Sequence, residues 1–344
     1  MKGPESILCR GDCSNYTSTF SQDVRAAFQN ALMWYITRNG SHWTTATDIL
    51  DAWGSNLTDI IGVDTSLLVG LEGDLMVNAA EILRWEGGWE ESISTIIYWL
   101  FARQSIIIGQ GNYGMVSIKA LLSFAVYLDD VTLVSGAFRT TRNLERCVSD
   151  NKIQYNYALY SYQRDPCGGI YGNFASQTGQ GAEAGRDQSH AQNAVGWAAM
   201  AARVVQSQGT DIYELEDNLL LKAGEYTAEY NQGYDVPYDR KFYRCEAILV
   251  DGPWSAISPL ERGVRSGMPK IYDVRPSIFR KFQSVRSVIE LTLVSKILYY
   301  QYVIKRGLNS PWITKMKAAI QATLGGEAVS YCGVFRLETE LISN

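Results

Sequence analysis

A chain of 344 residues is long enough for one large domain or two ordinary ones, and far too long to be a disulfide-stapled miniprotein. Hydrophobic residues at 46% and charged residues at 19% exclude a disordered chain or a polyelectrolyte, and a net charge of −5 argues against a general nucleic-acid binder. The 21 Tyr and 9 Trp against only 2 His favour an aromatic-lined pocket over a multi-histidine metal centre.

Apolar residues recur mostly at helical spacing. Val24, Phe28, Leu32 and Tyr35 form one stripe, Ile49 and Trp53 another, and Leu67, Leu71 and Leu75 a third. Further helices are expected over Trp89–Gln104, Tyr113–Leu128 and Thr132–Val148, then near Arg186–Gln206 and Tyr213–Tyr230, and finally near Pro276–Arg306 and Pro311–Leu324. Short breaks such as Asn39-Gly40, Gly62 to Asp64, Gly87-Gly88 and Gly209 to Asp211 separate them. Helices joined by such short loops lie antiparallel, so the chain reads as an all-α series of helical hairpins. A hairpin period of about 40–45 residues resembles that of an α-solenoid or an α/α toroid. Residues 1–18 read as an irregular N-terminal extension and 19–344 as a single domain.

No apolar run reaches the roughly 18–20 uncharged residues that a membrane crossing needs. The best candidate, Ser105 to Val126, is broken by Gln110-Gly111-Asn112 and by Lys119. The first twenty residues lack the apolar region of a signal peptide. Three glycosylation sequons, Asn15-Tyr16-Thr17, Asn39-Gly40-Ser41 and Asn56-Leu57-Thr58, nevertheless fall early in the chain. The expectation is a secreted protein whose leader is not part of this sequence. Of the six Cys, Cys9 with Cys13 and Cys167 with Cys245 are candidate pairs.

Two stretches interrupt the helical rhythm. Residues 151–185 are rich in Gly, and residues 231–276 carry Pro237, Pro253, Pro259, Pro269 and Pro276. Long loops on a rigid scaffold commonly carry function. Between Arg240 and Arg286, ten basic residues meet four acidic ones, a local net of +6 against −11 for the remainder. A basic island on an acidic protein points to an anionic ligand met at one place, with a solvated Arg-rich loop as the plainer alternative.

The most unusual stretch runs from Glu183 to Asn193, where Arg186, Asp187, Gln188, His190 and Gln192 crowd the start of a helix that then turns apolar. Arg186, His190 and Asn193 stand at i, i+4 and i+7, the spacing of one helix face. A lone His is as readily a structural residue as a base.

Glu183-Ala184-Gly185-Arg186-Asp187-Gln188-Ser189-His190-Ala191-Gln192 resembles the Glu-x-Gly-Arg-Asp-Gln-x-His-x-Gln motif of the alginate-lyase-like polysaccharide lyases. Segments on either side are similar to the same family: Ala31 to Thr37 with Ala46 to Trp53, Asn78 to Arg84, Gly111-Asn112-Tyr113-Gly114, and Leu220 to Asn231. The likeness covers roughly residues 20–285. It implies an incomplete (α/α)n toroid of antiparallel helical hairpins with long loops around a cleft. It also implies β-elimination on a β-1,4-linked polyuronate, either alginate (polymannuronate) or glucuronan. The family's Arg-Pro-aromatic-acid segment is found here, with altered spacing, as Arg262 to Asp273.

Elimination removes the C5 proton of a uronate and expels the O4 oxygen. The adjacent carboxylate must be stabilised as an enediolate, as in an oxyanion hole. The resemblance implies Asn112 as the neutral donor and Arg265 or Arg262 as the charged one, with His190 and Tyr272 as base and acid. In a syn elimination Tyr272 serves as both; in an anti elimination His190 is the base. Arg186, Gln188 and Gln192 are assigned to substrate hydroxyls or to holding His190, and Glu183 and Tyr113 to substrate contact. Asn112 after a glycine is alternatively a helix N-cap. The chemistry calls for no metal or cofactor, and the expected partner is an anionic polysaccharide met by a monomer, with no membrane involved. Two rivals remain: a glycoside hydrolase drawing two carboxylates from Glu183, Asp187, Asp129 and Asp130, and a non-catalytic carbohydrate-binding relative.

Overall fold

The computed structural model describes residues 3–90, 92–102, 111–129, 173–240, 242, 254–258 and 296–324. It is predominantly helical, as the apolar periodicity predicts, and also holds one small three-stranded sheet that the all-α expectation did not include. The described elements are β1 (Ile7–Arg10), β2 (Ser14–Asn15), α1 (Thr17–Thr37), α2 (Gly40–Asn56), β3 (Asp59–Ile61), α3 (Thr65–Gly87), α4 (Ser94–Ile96), which runs on as a π-turn to Phe101, α5 (Gly111–Tyr127), α6 (Gln188–Ser207), α7 (Leu215–Asn231), a π-turn at Tyr299–Ile304, and α8 (Pro311–Leu324). The helices expected at Thr132–Val148 and over most of Pro276–Arg306 lie outside the described residues. No helix among the described residues is long and apolar enough to cross a membrane.

The chain gathers into two compact units where the sequence suggested one domain: residues 1–109 with 116–158, and residues 110–115 with 159–344. In the first, the stretch expected to be an irregular extension is instead structured. β1 pairs antiparallel with β2 and parallel with β3, in the order β2-β1-β3, and a disulfide joins Cys9 to Cys13. Leu8, on β1, is fully buried, which explains why this segment orders rather than trailing in solvent. The second candidate pair, Cys167 with Cys245, lies outside the described residues.

α2 and α3 both pack against α1 and touch each other only slightly. Asn39 caps α2 by accepting the Ser41 N–H at 3.0 Å. Gly88, at φ +69°, closes α3, its N–H reaching the Arg84 carbonyl while Trp89 N–H reaches that of Leu83. The stripe of Val24, Phe28 and Leu32 is buried on α1, and Ile49 and Trp53 on α2, as their spacing predicts. On α3 the sequence reading was too narrow. This helix buries Leu68, Val69, Met76 and Val77, and also Glu72 and Asp74, so it is enclosed on most sides rather than along the Leu67–Leu71–Leu75 stripe. The buried carboxylates are paired: Arg25 donates to Glu72 at 2.8 Å, and Lys119 to Asp74 at 2.7 Å. α5 approaches α3 closely because Gly70 faces Val116 and Gly73 faces Phe124, where a Cβ would collide. Phe20, Trp53, Phe101 and Phe124 complete the core in edge-on and tilted contacts of 5.0–6.1 Å.

In the second unit the alanine-rich face of α6 (Ala194, Ala198, Ala201, Ala202) is buried, as are Leu219, Leu220 and Ala223 on α7. Glu216, Asp217 and Asn218 have positive φ, so regular right-handed helix in α7 begins at Leu219. Gly224 lets α7 lie against Leu298 and Ile313. The Glu225 carboxylate accepts the Trp312 and Ile313 N–H groups at 3.1 and 2.8 Å, capping α8 in place of a local side chain. Tyr213 and Tyr302 lie edge-on at 5.8 Å, and each hydroxyl donates to a backbone carbonyl, that of Ala199 and that of Tyr213 respectively.

Candidate active site

The site is assembled within the second unit from the start of α5, the loop Asn173–Asp187 and the start of α6. The loop begins as a small hairpin. Phe174 bridges Gly181, Ala175 N–H donates to Gln180 O at 2.9 Å, and Ala182 N–H to Asn173 O at 2.9 Å. Its other flank is pinned by reciprocal bonds between the Gln180 side chain and the Asp239 backbone, 2.8 and 2.9 Å. Gly185 permits the approach of Trp254 and Tyr238, which any Cβ there would block.

The first residues of α5 are held by this loop. Gly111 N–H donates to Asn173 Oδ1 at 2.7 Å and Asn112 N–H to Glu183 Oε2 at 2.5 Å. Gly111 has φ +55°, and a Cβ there would stand 2.6 Å from Glu183 Oε2. Position 111 therefore requires glycine twice over, for its backbone and for the carboxylate beside it. Glu183 serves as the anion at a helix N-terminus, where unpaired N–H groups and the helix dipole favour negative charge. Asn112 is the second residue of the helix, not its N-cap.

From Glu183 a chain of polar contacts leads to the imidazole. Arg186 donates to Glu183 Oε1 at 3.1 Å, and its Nε lies 3.9 Å from Asp187 Oδ2. Asp187 caps α6, accepting the His190 N–H at 3.0 Å, and its oxygens lie 2.7 and 2.6 Å from His190 Nδ1. Burial pushes the Asp187 carboxyl up, but the ring and backbone hydrogen bonds from His190, with the charges of His190 and Arg186, outweigh it and hold this group below the usual carboxylate range. An ionised Asp187 only accepts, so His190 Nδ1 donates to it, and whenever the ring is neutral its lone pair is on Nε2. Glu183 and Asn112 are buried, whereas Arg186, Asp187 and His190 keep 31%, 23% and 30% of their side-chain surface exposed. The buried end fixes the geometry and the imidazole end meets solvent.

Several sequence-based assignments change on this geometry. α6 begins at Gln188, so Arg186 precedes the cap and does not share a helix face with His190 and Asn193; it reaches the site through Glu183 and Asp187. Glu183, expected to touch substrate, turns inward to hold Asn112 and Arg186. Gln188 and Gln192, both 2% exposed, bond to the Ala184 and Ser258 carbonyls and to Asn231. Of their two expected roles, that placement suits holding the start of α6. Asn231 and Asn173 were given no site role, and Asp187 only that of a carboxylate in the hydrolase alternative. Asp187 had a readable signal, an acid three positions before His190 with an N-capping side chain. Tyr113 is half-buried at the start of α5. Tyr272, Arg262 and Arg265 lie outside the described residues.

No protein-family model, curated protein or solved structure matches the chain. Chemically, the site offers a partly exposed, carboxylate-oriented imidazole, joined through Arg186 and Glu183 to a helix N-terminus that carries an amide side chain.

Proposed function

We propose that this protein is a polysaccharide lyase that cleaves a β-1,4-linked polyuronate, alginate (polymannuronate) or glucuronan, by β-elimination. The observation that carries the reading is the Asp187–His190 pair at the head of α6, tied through Arg186 and Glu183 to Asn112. His190 Nε2 takes the C5 proton, and Asp187 stabilises the imidazolium that results. The Asn112 amide, with Arg265 or Arg262, binds the uronate carboxylate as it becomes an enediolate. Tyr272 protonates the departing O4 oxygen, leaving a 4,5-unsaturated sugar; in a syn elimination Tyr272 also removes the proton and His190 orients the substrate.

The scaffold in this reading is an incomplete α/α toroid; what supports it is the helical content, the packing of α2 and α3 on α1, and the α6–α7 pair. The protein acts as a secreted monomer on an anionic polysaccharide. Secretion is supported by the exposure of all three sequon asparagines, Asn15, Asn39 and Asn56, which leaves room for a glycan at each.

A panel of uronic-acid polymers, followed by ultraviolet absorbance of the unsaturated ends, tests the proposal. Absorbance rises on at least one polymer, and both His190→Ala and Tyr272→Phe abolish the rise. Full activity in both variants would remove the site assignment.

A further inference from the structure

A second concavity of the same unit lies where the Asn173–Ala182 hairpin rests on α7. Gly179, at φ +78°, stands so close to the Lys222 backbone that no Cβ fits there. The hairpin tip, one side of α7, Pro237 and Asn309 line an open surface cleft of about 400 Å³.

Most of its charged groups are already committed. Lys222 is held by Asp217 at 2.7 Å and by the Ser176 carbonyl at 3.3 Å, and Glu225 accepts the two N–H groups that cap α8. Glu229, one turn along α7 from Glu225, is half-buried, and its carboxylate has no hydrogen-bond or ion-pair partner among the described residues. Tyr226 also lines the cleft. It is only 5% exposed, and its buried hydroxyl has no hydrogen-bond partner among the described residues. Burial, with Tyr238 and Tyr230 nearby, pushes this phenol far above its ordinary range, so it stays protonated and available as a donor. Gln177, Thr178 and Asn309 supply further neutral polar groups.

An unpaired carboxylate and a buried orphan hydroxyl, ringed by amides, match a ligand with one positive charge and several hydroxyls. A uronate would instead set its carboxylate against Glu229. We infer that this cleft is a second ligand site that takes a hydroxyl-rich primary amine of the amino-sugar type, its ammonium on Glu229 and a hydroxyl on Tyr226. The inference is independent of the lyase reading.

Calorimetric titration of the full chain with D-glucosamine and its β-1,4-linked disaccharide, against glucose and glucuronate, tests it. Glucosamine and the disaccharide bind saturably, glucose binds at least about tenfold more weakly, and glucuronate more weakly still. Glu229→Gln brings glucosamine down to the level of glucose, Tyr226→Phe weakens both severalfold, and His190→Ala changes neither. Glu229→Asp, which keeps the charge and retracts it, lies between wild type and Glu229→Gln, and circular dichroism confirms that each variant is folded. No glucosamine binding by the wild type, equal affinity for glucose and glucosamine, or wild-type affinity in Glu229→Gln would overturn the inference.

Discussion

Asp187 caps α6 and orients His190 with the same carboxylate, so two substitutions there separate its contributions. Asn is as good an N-cap as Asp, so Asp187→Asn keeps the start of the helix but loses the anion that stabilises the imidazolium. In the lyase reading kcat falls by about 10²- to 10⁴-fold, while stability at neutral pH falls by the part that the ionised carboxylate adds to the cap. Asp187→Ala loses the cap as well, and costs about 1 kcal/mol of stability on top of the same catalytic loss. The lowered Asp187 pKa also fixes the sign of a pH effect. A carboxyl whose folded pKa lies below its unfolded value of about 4 contributes stability that is complete above that value and is lost as pH falls through the folded pKa. Denaturant titrations from pH 7 to pH 2 therefore show wild type and Asp187→Asn converging at the acid end, and a constant gap would contradict the assignment.

At the scale of elements, α3 and α5 are locked by small residues and by charge. Lys119→Met leaves Asp74 buried without its cation and destabilises the protein by about 3–5 kcal/mol, whereas Asp74→Leu combined with Lys119→Met recovers most of that loss. Chemical denaturation of the two single variants and the double variant measures the coupling. Gly111→Ala tests the other end of α5. Strain from its positive φ, with Glu183 displaced, costs about 1–3 kcal/mol, and His190-dependent activity falls because Arg186 loses its anchor. These two helices also show what periodicity reveals and what it hides. The stripes on α1 and α2 were legible because each buries one face of an amphipathic helix. α3 was misread because its buried Glu72 and Asp74 look like a solvent face until Arg25 and Lys119 are brought to them, 47 and 45 residues away. The His190 motif was legible because its cap and its imidazole lie within four residues. Glu183 was misassigned because its partner Asn112 is 71 residues distant, and only the fold brings the two together.

For the whole molecule, the +6 segment from Arg240 to Arg286 is set against −11 elsewhere in the sequence, and in the lyase reading that asymmetry draws an anionic polymer to this segment. Apparent KM on a polyuronate accordingly rises steeply between low and physiological ionic strength, with kcat nearly constant, since salt screens encounter more than it alters the bound complex. A salt-independent KM would remove the basic segment from the account. The central claim, bond cleavage without water, is tested most directly by digesting a polyuronate in heavy-oxygen water and weighing the products. Elimination yields ends that carry a double bond and no heavy oxygen, and none of these form when His190 is replaced by Ala. Saturated products that lack the double bond, with heavy oxygen at the new reducing ends, would identify a hydrolase and contradict the account.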